Sequence, residues 1–398
     1  MENTKKEKMK KKVYWLHSHF LFSTGGTRFV FEVVSYLKKQ YEITIVVERT
    51  SDEWRKKYKK LGINIVEISP LSSNNLLYWL FFPYFLLQNF LKLKKIISRK
   101  DIIVSSMFPM NFLSIPLSRK TINYCFEPFA FFYDKDLQKS FPLFSKILLQ
   151  LLSFFFSPFD KWGTLHSQKL LAINPSVGKL IEKTYKRKPD AYTYLGVDTD
   201  FFSPKIAPIN PKKNKPVILF HSTDYSPLKG TDYLIKALRF LKNYDFYLLI
   251  SETLANITQK KHLEKLINKY KLSKKIRFLG HLPYKKLPKY YTYADIYCFT
   301  GNPEAMGASA ASLSVLEASA SELSVIRSIG NKDEVIAGKT GLLVDPRDSR
   351  ELAIALKKLI KNKTLRRNMG KNGRQHILKN YTWPKVAKTV SEEIEKLF

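Results

Sequence analysis

The chain has 398 residues, enough for two domains that each bury a core. With 44% hydrophobic and 14% aromatic residues it does not read as a disordered chain, and two cysteines far apart in apolar runs, Cys125 and Cys298, argue against a disulfide framework or a zinc site. A net charge of +34 favours polyanionic partners such as nucleic acid, anionic lipid or a phosphorylated substrate, although lysines spread along the chain fit a plain composition bias equally well.

The first twelve residues read MENTKKEKMKKK, a basic tail with no apolar core or cleavage site of a signal peptide behind it. A reducing cytosol is the expected compartment. Val13–Leu16 reads as a first strand, followed by a loop carrying Gly25-Gly26 and a helix from about Thr27 to Lys39. Ile43–Glu48, Ile63–Ile68, Ile102–Ser105, Leu170–Asn174 and Ala191–Leu195 continue an alternation of strands and helices that predicts parallel sheets.

Leu76–Leu93 and Phe141–Phe159 interrupt that rhythm. Each holds about 18 mostly apolar residues, the lower edge of membrane-spanning length. Pro83, Gln88 and Asn89 break the first; Lys146, Gln150 and Pro158 break the second. Strands continue on both sides, so an interfacial surface fits better than a span: apolar side chains dip into lipid while Lys92, Lys94, Lys95, Lys139 and Lys161 meet anionic headgroups. Buried core helices are the competing reading.

Pro204–Pro216, rich in Pro, Asn and Lys, predicts a linker. A second series follows: strand Val217–His221, a helix from about Thr231 to Leu241, and strands Phe246–Ile250, Ile276–Leu279, Asp295–Phe299 and Val325–Ser328. Two doubly wound α/β domains result, with a site expected in the cleft between them.

The chemistry concentrates in the second series. Glu304, Glu317 and Glu334 fall near the ends of successive βα units, an arrangement suited to gripping hydroxyls such as those of a nucleotide-sugar. Lys229-Gly230 stands just before a helix opened by Thr231. A lysine beside exposed helix N–H groups suits a diphosphate whose charge grows as a sugar–nucleotide bond breaks. Asp198-Thr199-Asp200 spells a metal–diphosphate motif, but it lies inside a Gly-Val-Asp element next to the linker, and no metal is expected there.

Several elements now fall into one order: Gly25-Gly26 before a helix, Gly196-Val197-Asp198 followed by Phe201-Phe202, Lys229-Gly230, Ala294-Asp295, Glu304, Leu316-Glu317-Ala318, Glu334, Gly341–Val344, and Tyr381-Thr382-Trp383. Over nearly its full length the chain resembles the retaining glycosyltransferases of family four (glycosyl transferases group 1), which have the GT-B fold. The resemblance implies that Glu304 holds sugar hydroxyls of the donor, with backbone N–H groups near Met306-Gly307 beside it. Glu317 would accept from the ribose hydroxyls, and Lys229 would neutralise the diphosphate. Gly25 and Gly26 would let the backbone approach the phosphate or the sugar.

Three departures from the family pattern stand out. Glu304 and Glu317 are thirteen residues apart where the family usually has eight, so extra residues within Ala308–Ser314 are expected in a loop before the helix. Asp224 stands where an arginine is usual, with Arg327 a candidate to replace its charge. Phe126 stands where a histidine is usual; Glu127 beside it is assigned to the acceptor hydroxyl, and His17 and His19 are further polar groups nearby.

The expectation is therefore an α/β chain of GT-B type: two Rossmann-like doubly wound domains facing a central cleft. A basic tail (1–12) precedes an acceptor- and membrane-facing domain (13–204), a linker (205–216), a nucleotide-sugar-binding domain (217–380) and a terminal helix (381–398) packing back on the first domain. The activity expected is metal-independent transfer of a sugar, with retention, from a nucleotide-sugar co-substrate to a lipid-linked saccharide. It would take place on the inner, anionic face of the cell membrane, with no other cofactor and no nucleic acid. A catalytically degenerate membrane scaffold or sugar-nucleotide-binding protein is the alternative.

Overall fold

The computed structural model describes residues 10–135, 138, 143–210, 216–223, 225, 229–252, 257–302, 312–329 and 333–398. The chain divides into two compact units, one running to Tyr194 and including Val386–Phe398, the other spanning Leu195–Lys385.

In the first unit the strands are β1 (Lys11–Phe20), β2 (Tyr41–Thr50), β3 (Asn64–Glu67), β4 (Ile102–Ser106), β5 (Lys120–Cys125), β6 (Lys169–Ala172) and β7 (Ala191–Tyr192). They form one sheet in the order β3-β2-β1-β4-β5-β6-β7, with every pair parallel. Helices cover both faces of such a sheet, so its central strands are apolar throughout. Trp15, Leu16, Ile45–Val47 and Ile102–Val104 are accordingly buried. Helix α1 (Gly25–Leu37) turns Phe29, Val30, Val33, Val34 and Leu37 inward at helical spacing. Helix α2 (Asp52–Leu61) carries acids in its first turn and lysines in its last, with Ser51 capping one end and left-handed Gly62 the other.

Strand β5 is hidden in the sequence because Thr121 and Asn123 blur its apolar run. Both are buried and bonded: Thr121 Oγ1 accepts from Gln168 N at 3.1 Å, and Asn123 Nδ2 donates to Thr164 Oγ1 at 3.1 Å.

The two apolar stretches form helices α3 (Leu76–Leu80), α4 (Phe82–Ile96) and, after α5 (Met110–Ser114) and α6 (Ala130–Tyr133), the long α7 (Leu143–His166). Each stretch is core on one side and exposed on the other. Tyr78, Phe82 and Phe85 are buried in an aromatic cluster with Phe108 and Phe132, against which Phe156 of α7 packs. Leu77, Leu80, Phe81, Tyr84, Leu87 and Leu91 are exposed on the outer side, as are Leu143, Ile147, Leu151, Phe154 and Phe155. No described helix is long and apolar enough to cross a membrane.

The first unit closes at Tyr194, ahead of the composition boundary at Pro204, because Leu195–Phe202 packs into the second unit. A Cβ on Gly196 would lie 2.6 Å from the Trp383 ring, Val197 bridges Thr382, and Arg374 donates to Thr199 O and Phe202 O. The terminal segment Val386–Phe398 groups with the first unit. There Tyr41 Oη donates to Glu395 Oε1 at 2.6 Å and Lys11 pairs with Glu395 Oε2 at 2.8 Å.

The second unit holds a six-stranded parallel sheet of order β10-β9-β8-β11-β12-β13. Its strands are β8 (Val217–Thr223), β9 (Phe246–Glu252), β10 (Ile276–His281), β11 (Ile296–Phe299), β12 (Ser324–Ser328) and β13 (Gly341–Val344). After α8 (Pro175–Tyr185) of the first unit, the helices needed below are α9 (Thr231–Leu238), α10 (Ile257–Lys269), α11 (Leu287–Tyr293) and α12 (Leu313–Ala320).

Candidate functional site

In each sheet the strand order reverses once, at β1/β4 in the first unit and at β8/β11 in the second. Ligands of open α/β sheets bind outside the carboxyl ends of the strands at such reversals. Of the candidate residues, Gly25-Gly26 follow β1 and Lys229-Gly230 follow β8.

In the second unit the chain leaves β8 and enters α9 through Lys229 and Gly230. Gly230 is the N-cap, with φ of 63°, and no side chain caps the helix. Its first N–H groups are therefore available to an anion. The turn is held from several sides. Thr300, just past β11, donates from Oγ1 to Gly230 O at 2.9 Å. His221 Nδ1 lies 2.8 Å from Cys298 O, and since a carbonyl only accepts, that nitrogen carries the proton. Its Nε2 lies 2.9 Å from Thr231 Oγ1, which donates to Thr223 Oγ1 at 2.8 Å. Lys229 stands half-buried beside this knot.

Glu317 lies one turn into α12, buried, and its Oε2 accepts from the Tyr291 hydroxyl of α11 at 3.1 Å. The phenol of Tyr291 is in turn raised by burial first and by Glu317 second. Helix α12 starts at Leu313, four residues before Glu317, and residues 305–311 between the two glutamates lie outside the described residues. Glu304, Met306, Gly307 and Asp224 lie outside the described residues.

Glu334 does not join the hydroxyl-gripping acids. Its side chain is buried and joined to Arg327 Nε at 3.0 Å, while Oε1 accepts from Ser312 N at 2.7 Å. Burial pushes its carboxyl up to about 7, against the Arg327 guanidinium that pulls it down. Arg327 is equally sealed, so it does not replace the missing arginine at a phosphate. The pair instead fixes the start of the helix that carries Glu317.

In the first unit, Gly25 and Gly26 form the first turn of α1 and not a loop before it. Thr24 caps the helix: its Oγ1 accepts from Thr27 N at 3.2 Å, and Thr27 Oγ1 accepts from Thr24 N at 2.8 Å. Past the end of β5 lie Phe126 and the half-buried Glu127. His17, near the end of β1, sits across from Phe126 with ring centroids 6.4 Å apart and edge-on. Its Nδ1 is 2.8 Å from Ser106 Oγ at the end of β4. The contact spans the strand reversal and joins residues 89 apart, so no local sequence signal announces it. Asp198, which opens the Asp-x-Asp triplet, spends Oδ1 on the N–H groups of Asp200 and Phe201, shaping a turn. Among the described residues no group of three or more His, Cys, Asp or Glu could hold a metal ion.

Residues 202–376, wholly within the second unit, match the family model described as Glycosyl transferases group 1. A GDP-mannose-dependent alpha-(1-6)-phosphatidylinositol monomannoside mannosyltransferase of Mycolicibacterium smegmatis is 28% identical over 201 residues, 47% of this chain and 51% of the relative. The chain spans between 32% and 62% of the length of the first curated relatives it matches. Among solved structures, a glycosyltransferase from Rickettsia africae superposes with a TM-score of 0.75 at 20% identity, covering 97% of this chain and 98% of that one. Anabaena Alr3699/HepE in complex with UDP also gives 0.75, at 12% identity, covering 97% and 100%. At those identities the likeness is one of fold: two parallel-sheet α/β units of GT-B type.

Proposed function

We propose that the protein is a metal-independent retaining glycosyltransferase of family four that takes a sugar from a nucleotide-sugar and gives it to a lipid-linked saccharide on the inner face of the cell membrane. The observation that carries this reading is the Lys229-Gly230 turn. It puts a cation and an uncapped helix N-terminus together at the strand reversal of a unit whose sequence matches glycosyl transferases group 1.

In the reaction the bond between the anomeric carbon and the diphosphate oxygen breaks. A new bond forms from that carbon to the acceptor hydroxyl oxygen, and the hydroxyl proton ends on the departing diphosphate. Charge grows on the diphosphate as this happens. Lys229 and the first N–H groups of α9 stabilise it without reorganising. Glu317, anchored by Tyr291, accepts from the ribose hydroxyls, and Glu304, with the backbone of Met306-Gly307, holds the sugar. Gly25 and Gly26 admit the donor closely in the first unit, and Glu127 meets the acceptor hydroxyl.

The membrane part of the reading is supported by the apolar belt on α3, α4 and α7, where Phe154 is 76% exposed, Leu143 73% and Tyr84 62%. Singly exposed apolar residues need no explanation, but so many on three helices do. Exposed Lys94, Lys95 and Lys161 flank it, whereas Lys92 donates to Ile68 O at 2.7 Å and is spent within the fold. A bilayer with anionic headgroups matches both features.

The test is a panel of nucleotide-sugars assayed for hydrolysis or transfer with membrane extracts. Wild type turns over one donor, and Lys229→Ala and Glu317→Ala each lower turnover by about 100-fold. Donor-dependent thermal stabilisation with no turnover would favour the degenerate scaffold. Turnover unchanged in both variants would refute the site assignment.

A further inference from the structure

We infer that the first unit binds the lipid of the acceptor as a single apolar chain ending in phosphate: Trp79, Phe129, Phe131 and Met107 line the chain, and Lys135 and Lys161 meet the phosphate. The inference rests on the lipid-linked acceptor of the reading above and adds its chemical class and the residues that hold it.

The row begins at the inner side of the apolar belt. Trp79 of α3 is half-buried, its ring oriented by a hydrogen bond from Nε1 to Ser73 O at 2.8 Å. It packs on Phe82 and Phe156, with centroids 5.2 Å and 6.3 Å away. On its other flank half-buried Phe129, just before α6, lies 6.3 Å away. Phe129 is 5.6 Å from Phe131, which is 41% exposed, and 6.0 Å from buried Phe108. Next to Phe108 stands Met107, just past β4 and 39% exposed. Ser18 Oγ of β1 donates to Met107 Sδ at 3.9 Å, so the thioether lies at the strand reversal of the sheet. Ring contacts of ordinary length thus link the helices of the belt to the carboxyl ends of β1 and β4.

Charge complementarity decides what covers this row. Lys161 of α7 stands 6.0 Å over the ring of Tyr133, two residues beyond Phe131, and exposed Lys135 follows two residues later. The described acids beside them in sequence are turned inward: Asp134 and Asp160 are buried, and Asp160 accepts from Tyr185 Oη at 2.8 Å and Asn111 Nδ2 at 2.7 Å. Two exposed ammonium groups at the end of an apolar row fit a phosphate carried on a hydrocarbon. The row is one ring wide, which suits one chain, whereas a bilayer covers the broad outer sides of α4 and α7. Met107 supports the same occupant. Its φ of 71° is a backbone that only glycine adopts freely, and such outliers gather at ligand sites. The position nevertheless carries a flexible thioether that adapts to apolar ligands. Half-buried Glu127 lies two residues before Phe129, so a saccharide joined to the phosphate reaches the carboxylate assigned to the acceptor hydroxyl.

The experiment titrates the full-length chain by calorimetry with decyl phosphate below its micelle concentration, with decyl maltoside as the uncharged control. Binding to phosphatidylglycerol vesicles is measured on the same variants. Wild type should bind one decyl phosphate per chain. Phe131→Ser with Met107→Ser should lower that affinity about tenfold at unchanged melting temperature and leave vesicle binding as in wild type. Phe154→Ser with Phe155→Ser should do the reverse, weakening vesicle binding and sparing decyl phosphate. Lys135→Gln with Lys161→Gln should bring decyl phosphate down to the affinity of decyl maltoside. The inference is overturned if wild type shows no saturable binding or the Phe131 and Met107 changes leave it intact. It is equally overturned if the Phe154 and Phe155 changes weaken it as much. Unchanged affinity in the lysine variant overturns the phosphate assignment. The titration needs no donor, so the two readings fail separately. A chain that passes it but turns over no nucleotide-sugar loses the transferase reading and keeps this site; one that turns over a donor but fails it loses this inference alone.

Discussion

Arg327 and Glu334 are both closed to solvent and joined Nε to Oε2 at 3.0 Å, and the same carboxylate accepts the backbone N–H of Ser312. An ion pair in that position orients more than it stabilises, because the desolvation of both charges offsets their attraction. Removing one partner strands the other. Glu334→Ala or Arg327→Leu is therefore expected to cost about 3–5 kcal/mol, read from the urea midpoint. Hydrogen exchange at the start of α12 should rise in Glu334→Ala, since Ser312 N loses its acceptor. Unchanged exchange there would mean that the pair does not hold the helix of Glu317.

Gly230 is a position where the fold does require glycine. Its φ is positive and a Cβ would lie 1.8 Å from Thr300 O. Gly230→Ala should cost roughly 3 kcal/mol through backbone strain and displacement of Thr300. Lys229→Ala next to it should leave stability within about 0.5 kcal/mol, because the lysine is a part-exposed side chain. Thermal melts of the two variants check the contrast, which fails if Gly230→Ala melts with wild type.

Glu48, buried at the end of β2, gives a pH prediction. Its Oε2 accepts from Ser73 N at 2.8 Å, but burial pushes the carboxyl up to about 7, against the neighbouring Ser73 and Tyr78 groups. A carboxyl raised in the folded state favours folding when protonated. Its contribution is complete below pH 4.5, the unfolded value, and is lost as pH rises through 7; Glu334 adds a share of the same sign. In Glu48→Gln that share disappears. The variant should match wild type at pH 5 and exceed it at pH 8 by up to about 3 kcal/mol in urea unfolding. Parallel pH profiles for the two proteins would refute the assignment.

The apolar belt makes a prediction that separates docking from folding. Phe154→Ser with Phe155→Ser changes exposed side chains, so the melting temperature should hold. Binding to phosphatidylglycerol vesicles, measured by co-sedimentation, should fall by about tenfold, and raised salt should weaken what remains through Lys94, Lys95 and Lys161. Equal binding to neutral phosphatidylcholine vesicles would remove the charge part of the reading.

Much of this was legible in the sequence, and the exceptions share a cause. The central strands of both sheets announce themselves because a parallel sheet covered on both faces must be apolar along its length. Strand β5 escaped because its buried Thr121 and Asn123 are satisfied by Gln168 and Thr164, partners from a distant element. The long apolar stretches could be read as core or as surface, since hydrophobicity does not say which side of a helix faces inward. The Phe82–Phe156 contact, with centroids 4.5 Å apart, decides which side is core.

The sequence by itself determined the alternation of strands and helices, the Lys229-Gly230 turn at a helix start, and the set of acidic residues from which a site could be built. These rest on local rules: periodicity, capping and the special backbone of glycine. Tertiary structure alone decided which acid is spent on Arg327 and which rests on Tyr291, and it brought His17 and Ser106 to one strand reversal. A charge's availability depends on burial and on partners, and those are set by residues far away along the chain.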